Sequence, residues 1–231
     1  PLAHPSDRLT INVSSSPGLE LTCTHPELSG AENILHAAYA AFARRSGWQS
    51  GISVHLEKNI PQGAGLGGGS ADAGTLLKHL NALCPKERSL DQGELLYVAQ
   101  EVGADVPFFL SSTPAWVQGI GERIRPVRMA YASGWLVVVC PDVRTSTAEA
   151  YRSWDRSQPM TGSRQGYAHP GPTYSLSLCS QGQVWRNDFE SVLFPVYPRL
   201  SRLKMKLLSC GARGAVMSGS GASVVGLFSA Q

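Results

Sequence analysis

The chain has 231 residues, enough for one large or two small domains, and its 42% hydrophobic and 16% charged content is that of a globular protein. A net charge of +3 without a basic run argues against a nucleic-acid partner and suits a small anionic ligand. Cys23, Cys84, Cys140, Cys179 and Cys210 are scattered and never form a Cys-x-x-Cys pair, and no apolar stretch approaches membrane-spanning length. A disulfide framework, a zinc site and a membrane span are therefore not expected. Reduced thiols in the cytoplasm are.

In chain order, Ser29-Gly-Ala-Glu32 reads as a capping box opening a helix through Leu35, Ala38, Tyr39 and Phe42 that stops near Gly47. Ile52, Val54 and Leu56 alternate with Ser53, His55 and Glu57, the pattern of a half-buried strand, which Pro61 ends. A glycine run follows, then a helix with Ala73, Leu76, Leu77 and Leu80 on its apolar face. His55 and His79 fit an exposed strand residue and a helix-surface residue. A second box, Ser89 with Gln92, opens a helix carrying Leu95, Leu96, Ala99 and Val102 and ending at Gly103. Residues 115–118 and 124–128 read as short strands around a Gly119–Gly121 turn. Trp135 to Cys140 is a continuous apolar run, expected to be a central buried strand. Ser146 and Glu149 cap a helix, and residues 153–183, rich in Ser, Gly, Pro and Gln, read as a long loop. A helix runs from Pro198 through Leu200, Leu203, Leu207 and Leu208 to Gly211. Two strands, Gly214 to Met217 and Ser223 to Phe228, flank a turn at Gly219–Gly221. The mixture, without strict β-α-β alternation, is α+β. The shift near Ala132–Gly134 marks the expected boundary between domains 1–133 and 134–231.

The chemistry is concentrated in Pro61-Gln62-Gly63-Ala64-Gly65-Leu66-Gly67-Gly68-Gly69-Ser70-Ala71. A glycine-rich loop that feeds a helix N-terminus presents unpaired N–H groups and the positive end of a dipole, an anion site suited to phosphate. It is not a P-loop, since Gly69 is followed by Ser70-Ala71 with no Lys. Gly63, Gly65 and Gly68 fit G-x-G-x-x-G, but Glu87, near the distance for the expected acid, follows no strand. Ser70 has three readings: helix cap, phosphate contact or magnesium contact. Asp72 reads as a first-turn acid favoured by the helix dipole. Asp105, between a helix end and Val-Pro, is either a turn residue or a functional acid. Ser218, Gly219, Ser220 and Gly221 form either a tight turn or a surface that lets backbone approach phosphates closely.

The glycine run resembles the phosphate-binding motif of the GHMP small-molecule kinases, which include galactokinase, homoserine kinase and mevalonate kinase. Its triple glycine followed by Ser-Ala-Asp-Ala is similar to that of one member, a kinase of the non-mevalonate isoprenoid pathway. Gly103-Ala104-Asp105-Val106-Pro107-Phe108-Phe109 resembles the catalytic-aspartate segment. Gly119-Ile120-Gly121-Glu122 and Asn187-Asp188-Phe189-Glu190 resemble two lesser signatures, and Ser218-Gly219-Ser220-Gly221 resembles the third family motif. The resemblance implies a two-domain fold with the nucleotide in the interdomain cleft, ATP and magnesium as cofactors, a small-molecule alcohol as substrate and Asp105 as the catalytic aspartate that accepts or orients the hydroxyl proton. It also implies that an opening strand with Pro-Ala-Lys, an Asp-Gly-Tyr-His segment and a closing helix are missing here, as in a fragment. Lys58 does not match the motif of that lysine.

Overall fold

The computed structural model describes residues 5–111, 113–121, 123–127, 134–157 and 185–229. The chain divides into two compact units, Pro1–Gln62 with Gly67–Arg128, and Gly63–Leu66 with Met129–Gln231.

The first unit rests on a sheet of β1 (Arg8–Ser14), β2 (Leu19–Cys23) and β3 (Gly51–Glu57) in the order β1-β3-β2. β1 lies antiparallel to β3 and β2 parallel to it. The alternation in β3 does what period two demands: Ile52, Val54 and Leu56 are all at most 1% exposed. The helices α1 (Ile34–Ser46), α2 (Gly68–Leu83) and α3 (Gln92–Val102) pack into the same core. They contribute Leu35 and Phe42, then Leu76, Leu77 and Leu80, then Val98 and Ala99. Each of the larger side chains adds about 1.5–3 kcal/mol by burial. A short helix α4 (Val106–Leu110) and the hairpin β4 (Ala115–Gln118) with β5 (Arg123–Pro126) complete the unit.

Both helix starts differ from the expected ones. Asn33, not Ser29, caps α1: its Oδ1 accepts from Leu35 N–H at 3.0 Å while its Nδ2 donates to Leu28 O at 2.8 Å. Asp91, not Ser89, caps α3, in a box completed by Glu94, which accepts from Asp91 N–H. In each case a 3-10 turn, Pro26–Leu28 or Lys86–Arg88, ends just before the expected cap, and the helix starts further on. β1 and β2 are additional to the expected elements. Leu9 with Ile11, and Leu19 with Leu21 and Cys23, carry the period-two signal and pack on the core.

The second unit holds β6 (Gly134–Val139), α5 (Thr147–Ser157), α6 (Glu190–Leu193), α7 (Pro198–Ser209), β7 (Gly214–Met217) and β8 (Val224–Ser229). The sheet order is β6-β8-β7, all antiparallel. Ser146 caps α5 as expected, its Oγ accepting from Glu149 N–H. The expectation of a central buried strand at Trp135 to Cys140 is corrected. Among the described residues β6 is an edge strand paired only with β8, and Trp135 is 71% exposed. Apolar content reports affinity for a core, whereas sheet position depends on which strands pair. Of the expected loop 153–183, residues 153–157 belong to α5, and the rest lies outside the described residues. Cys23, Cys84, Cys140 and Cys210 are free thiols. Among the described residues no helix is long and apolar enough to cross a membrane.

Candidate active site

The glycine run leaves β3 and enters α2. Gly67 is the N-cap of α2 in the left-handed conformation (φ +69°) without a side-chain cap, and Ala71 N–H donates to Gly67 O at 2.9 Å. The N–H groups of Gly68, Gly69 and Ser70 therefore have no acceptor within the helix. Ser70 stands inside the first turn, so the reading of its hydroxyl as the helix cap is corrected: the cap position belongs to a residue with no side chain. Gly63, Gly65 and Gly67 all have positive φ, and among the described residues no non-glycine residue does. Left-handed glycines thus alternate with Ala64 and Leu66, and successive turns of this kind can gather N–H groups into a concavity suited to an anion.

The front of this loop is held by the turn between β7 and β8. Ser218 Oγ donates to Gly65 O at 2.8 Å, and Ser223 N–H donates to Ala64 O at 3.1 Å. A Cβ on Gly65 would fall on the Ser218 carbonyl oxygen and lie 2.7 Å from that of Gly221. Ser218, Gly219, Ser220 and Gly221 therefore do more than reverse the chain. Ser220 Oγ also meets Thr147 Oγ1 at 2.7 Å.

At the start of α2 lies a buried ionic cluster that the sequence reading missed. Lys58, one residue past β3, donates to Asp7 and, at 2.9 Å, to Asp72 Oδ2. The three side chains are 8%, 3% and 6% exposed. Asp7 Oδ1 also accepts from the N–H groups of Asn59 (2.6 Å) and Ile60 (2.8 Å), which fixes the chain entering the loop. Asp72 is thus no first-turn acid: it lies on the buried side of α2, aimed at an ammonium. No local signal marked it, because the three residues come from separate parts of the chain. Burial pushes the Asp72 carboxyl up to about 6, with the Lys58 hydrogen bond and charge pulling it back and the Asp7 charge adding to the rise. Burial alone would lower the Lys58 pKa, but its hydrogen bonds to Asp7 and Asp72 and the charges of both carboxylates outweigh that and raise it.

The Asp72 shift has a measurable consequence. Its folded pKa lies above the unfolded value, so between roughly pH 4 and pH 6 the folded state binds the extra proton. Its contribution to stability is present at the acid end and is lost as pH rises through that window. Urea unfolding of the native protein and of Asp72→Asn at pH 4, 5 and 7 should give a stability difference that shifts against the native protein by about 2–3 kcal/mol from acid to neutral. A difference independent of pH would show that Asp72 ionises normally.

Asp105 sits between α3 and α4, at the N-cap of α4 but without a side-chain cap bond. It is exposed and has no hydrogen-bond or ion-pair partner among the described residues. A turn aspartate would spend its carboxylate on nearby backbone N–H groups. This one is left available. Its backbone is set from two sides. A Cβ on Gly121 (φ +114°) would overlap the Ala104 carbonyl oxygen, so the glycine turn of the hairpin packs directly on the residue before Asp105. Phe109 of α4 lies where Cβ atoms on Gly67 and Gly74 would reach, each 2.9 Å from its side chain, which docks α4 on the start of α2. Glu122 of the same signature lies outside the described residues.

Two family models match the chain. The GHMP kinases N terminal domain model matches residues 33–113, and the GHMP kinases C terminal model matches residues 178–231. The chain belongs to the GHMP kinases. Within that class it is 41% identical, over 99% of its length and 78% of the relative's, to a 4-diphosphocytidyl-2-C-methyl-D-erythritol kinase of Solidesulfovibrio magneticus. It is 38% identical to the kinase of the same name from Geobacter metallireducens, over 97% of this chain and 77% of that one. The crystal structure of a 4-(cytidine 5'-diphospho)-2C-methyl-D-erythritol kinase superposes with a TM-score of 0.75 at 33% identity, covering 96% of this chain and 76% of the other. A homoserine kinase from Cytophaga hutchinsonii superposes at 0.72 with 20% identity, a likeness of fold.

Proposed function

We propose that the protein transfers the terminal phosphoryl group of ATP to the tertiary 2-hydroxyl of 4-diphosphocytidyl-2-C-methyl-D-erythritol, a step in non-mevalonate isoprenoid synthesis. The observation that carries this is 41% identity across 99% of the chain to a kinase of that name. Phosphoryl transfer needs phosphates held, charge neutralised and the acceptor oxygen aligned, with little covalent help from the protein. The backbone N–H groups over residues 65–70 hold the phosphates. Asp105 takes or orients the hydroxyl proton as the oxygen–phosphorus bond forms and ADP leaves.

Magnesium fits as a partner of the nucleotide rather than of a protein cage. No group of three or more His, Cys, Asp or Glu suited to a metal occurs among the described residues. That ion commonly keeps only one or two protein ligands and binds substrate phosphates. Ser70, at the open end of α2, is the hydroxyl we assign to it.

Coupled ADP-release assays on the full-length protein, with the cytidylyl substrate, homoserine and mevalonate as acceptors, test the reading. Turnover with the cytidylyl substrate alone is expected. Turnover of homoserine or mevalonate in its place would overturn the substrate. Nucleotide binding with no acceptor consumed would make the protein an inactive relative.

A further inference from the structure

The segment Asn187-Asp188-Phe189-Glu190 has no part in the chemistry above, yet its side chains are heavily engaged. Asn187 Nδ2 donates to both Met217 O and Gly219 O, each at 2.7 Å, and its Oδ1 accepts from Phe189 N–H at 3.0 Å. Both amide hydrogens and the carbonyl are used, so the amide has a single satisfied orientation. Glu190 takes the other side of the same strand end: Oε1 accepts from Met217 N–H at 2.9 Å, and Oε2 pairs with Lys204 Nζ at 2.5 Å. The two carbonyls that Asn187 holds flank Ser218. Ser218 N–H donates to Ser223 O at 2.9 Å, Gly221 N–H donates to Ser218 O at 2.9 Å, and Ser218 Oγ reaches Gly65 O.

A trans peptide is planar, and its N–H points opposite to its C=O. Tying down Ala64 O and Gly65 O therefore aims the N–H groups of Gly65 and Leu66 away from the turn. Among the described residues neither of these N–H groups donates to a backbone carbonyl. The turn occupies the acceptor side of these two peptides and leaves their donors for an anion.

We infer that Asn187 is a positioning residue for the phosphate loop, acting through Met217 O, Gly219 O and Ser218 on the Gly65 and Leu66 peptides. This rests on the reading of the glycine run as the ATP-phosphate cradle. It assigns the signature a task distinct from catalysis: holding a turn whose hydroxyl sets the direction of two amide donors.

The test uses the full-length protein. Asn187→Ala should raise the KM for ATP roughly tenfold, the scale of a lost side-chain hydrogen bond that leaves partners unpaired. The kcat and the KM for the alcohol should stay within about threefold, a split that general destabilisation would not produce. Ser218→Ala should raise the KM for ATP similarly. The double variant should be no worse than the poorer single variant, because both act along one path. Additive effects, or an unchanged KM for ATP in Asn187→Ala, would overturn the inference. Should Asn187→Ala fail to fold in a thermal melt, Asn187→Asp decides: it keeps the size and the Oδ1 acceptor but loses the Nδ2 bonds to Met217 O and Gly219 O, and an unchanged KM for ATP in it would overturn the inference. Gly65→Ala, assayed in parallel, separates the two levels. Weakened ATP binding in Gly65→Ala with none in Asn187→Ala refutes only the positioning role. Intact binding in Gly65→Ala refutes the phosphate cradle itself.

Discussion

Asp105→Asn in the full-length protein is expected to lower kcat by about two to four orders of magnitude, the usual range for losing a general base. The substitution keeps the shape of the side chain and one hydrogen-bonding oxygen while removing charge and basicity. Structural damage is expected to be small, because the native carboxylate caps nothing and has no partner among the described residues. The segment is held instead by backbone and apolar contacts: Gly121 against the Ala104 carbonyl, Val106 fully buried, and Phe109 on Gly67 and Gly74. None of these involves the carboxylate. The KM for ATP should therefore change little if, as proposed, the loop amides bind phosphate independently of Asp105. The melting temperature should match the native value within a degree or two, measured alongside the kinetics. A kcat within a few-fold of native, with an unchanged melt, would return Asp105 to the role of a turn residue ahead of Pro107.

The parts legible in the sequence were those where one local rule decides. The alternation of Ile52, Val54 and Leu56 gave a buried strand because period two on a one-faced sheet has one solution. The glycine run gave a loop at a helix start, since three residues with positive φ leave few alternatives to glycine. The boxes at Ser29 and Ser89 failed, whereas Ser146 holds, because Ser with Glu or Gln three residues on also occurs by chance; the caps there are Asn33 and Asp91, each beyond a 3-10 turn. β6 was misread as central because strand order depends on pairings far apart in sequence. The Asp7–Lys58–Asp72 cluster joins residues 51 and 14 positions apart, and neither local spacing nor composition indicates such a meeting. Asp72 looked like a helix-dipole acid because its partner belongs to another element. Among the candidate site residues, Asp105 gained most from the structure. Sequence left its carboxylate with two uses, and the geometry shows that the capping use is not taken up.

The second large effect concerns Gly65. Gly65→Ala is expected to raise the KM for ATP by at least about a hundredfold or to abolish measurable binding, for two separable reasons. First, φ is +71°, where a Cβ costs about 1–2 kcal/mol. Second, the new Cβ would fall on the Ser218 carbonyl oxygen and crowd that of Gly221, both backbone atoms that no side-chain rotation can move aside. The loop must leave the turn, which breaks the Ser218 Oγ bond to Gly65 O and frees the two peptides whose N–H groups we assign to the phosphates. Gly211→Ala isolates the first reason: its φ is +93°, but nothing lies within 4 Å of its Cβ position, so it should lose a little stability and leave ATP affinity alone. Gly67→Ala falls between them, because its Cβ would meet only the ring edge of Phe109, which can shift. Isothermal titration with a non-hydrolysable ATP analogue, paired with thermal melts, reads both quantities on each variant. The expected order of lost affinity is Gly65, then Gly67, with Gly211 unaffected. If Gly65→Ala binds the analogue as tightly as the native protein while remaining folded, the loop is not the phosphate cradle, and the close packing of residues 64–65 on the turn is a matter of folding alone.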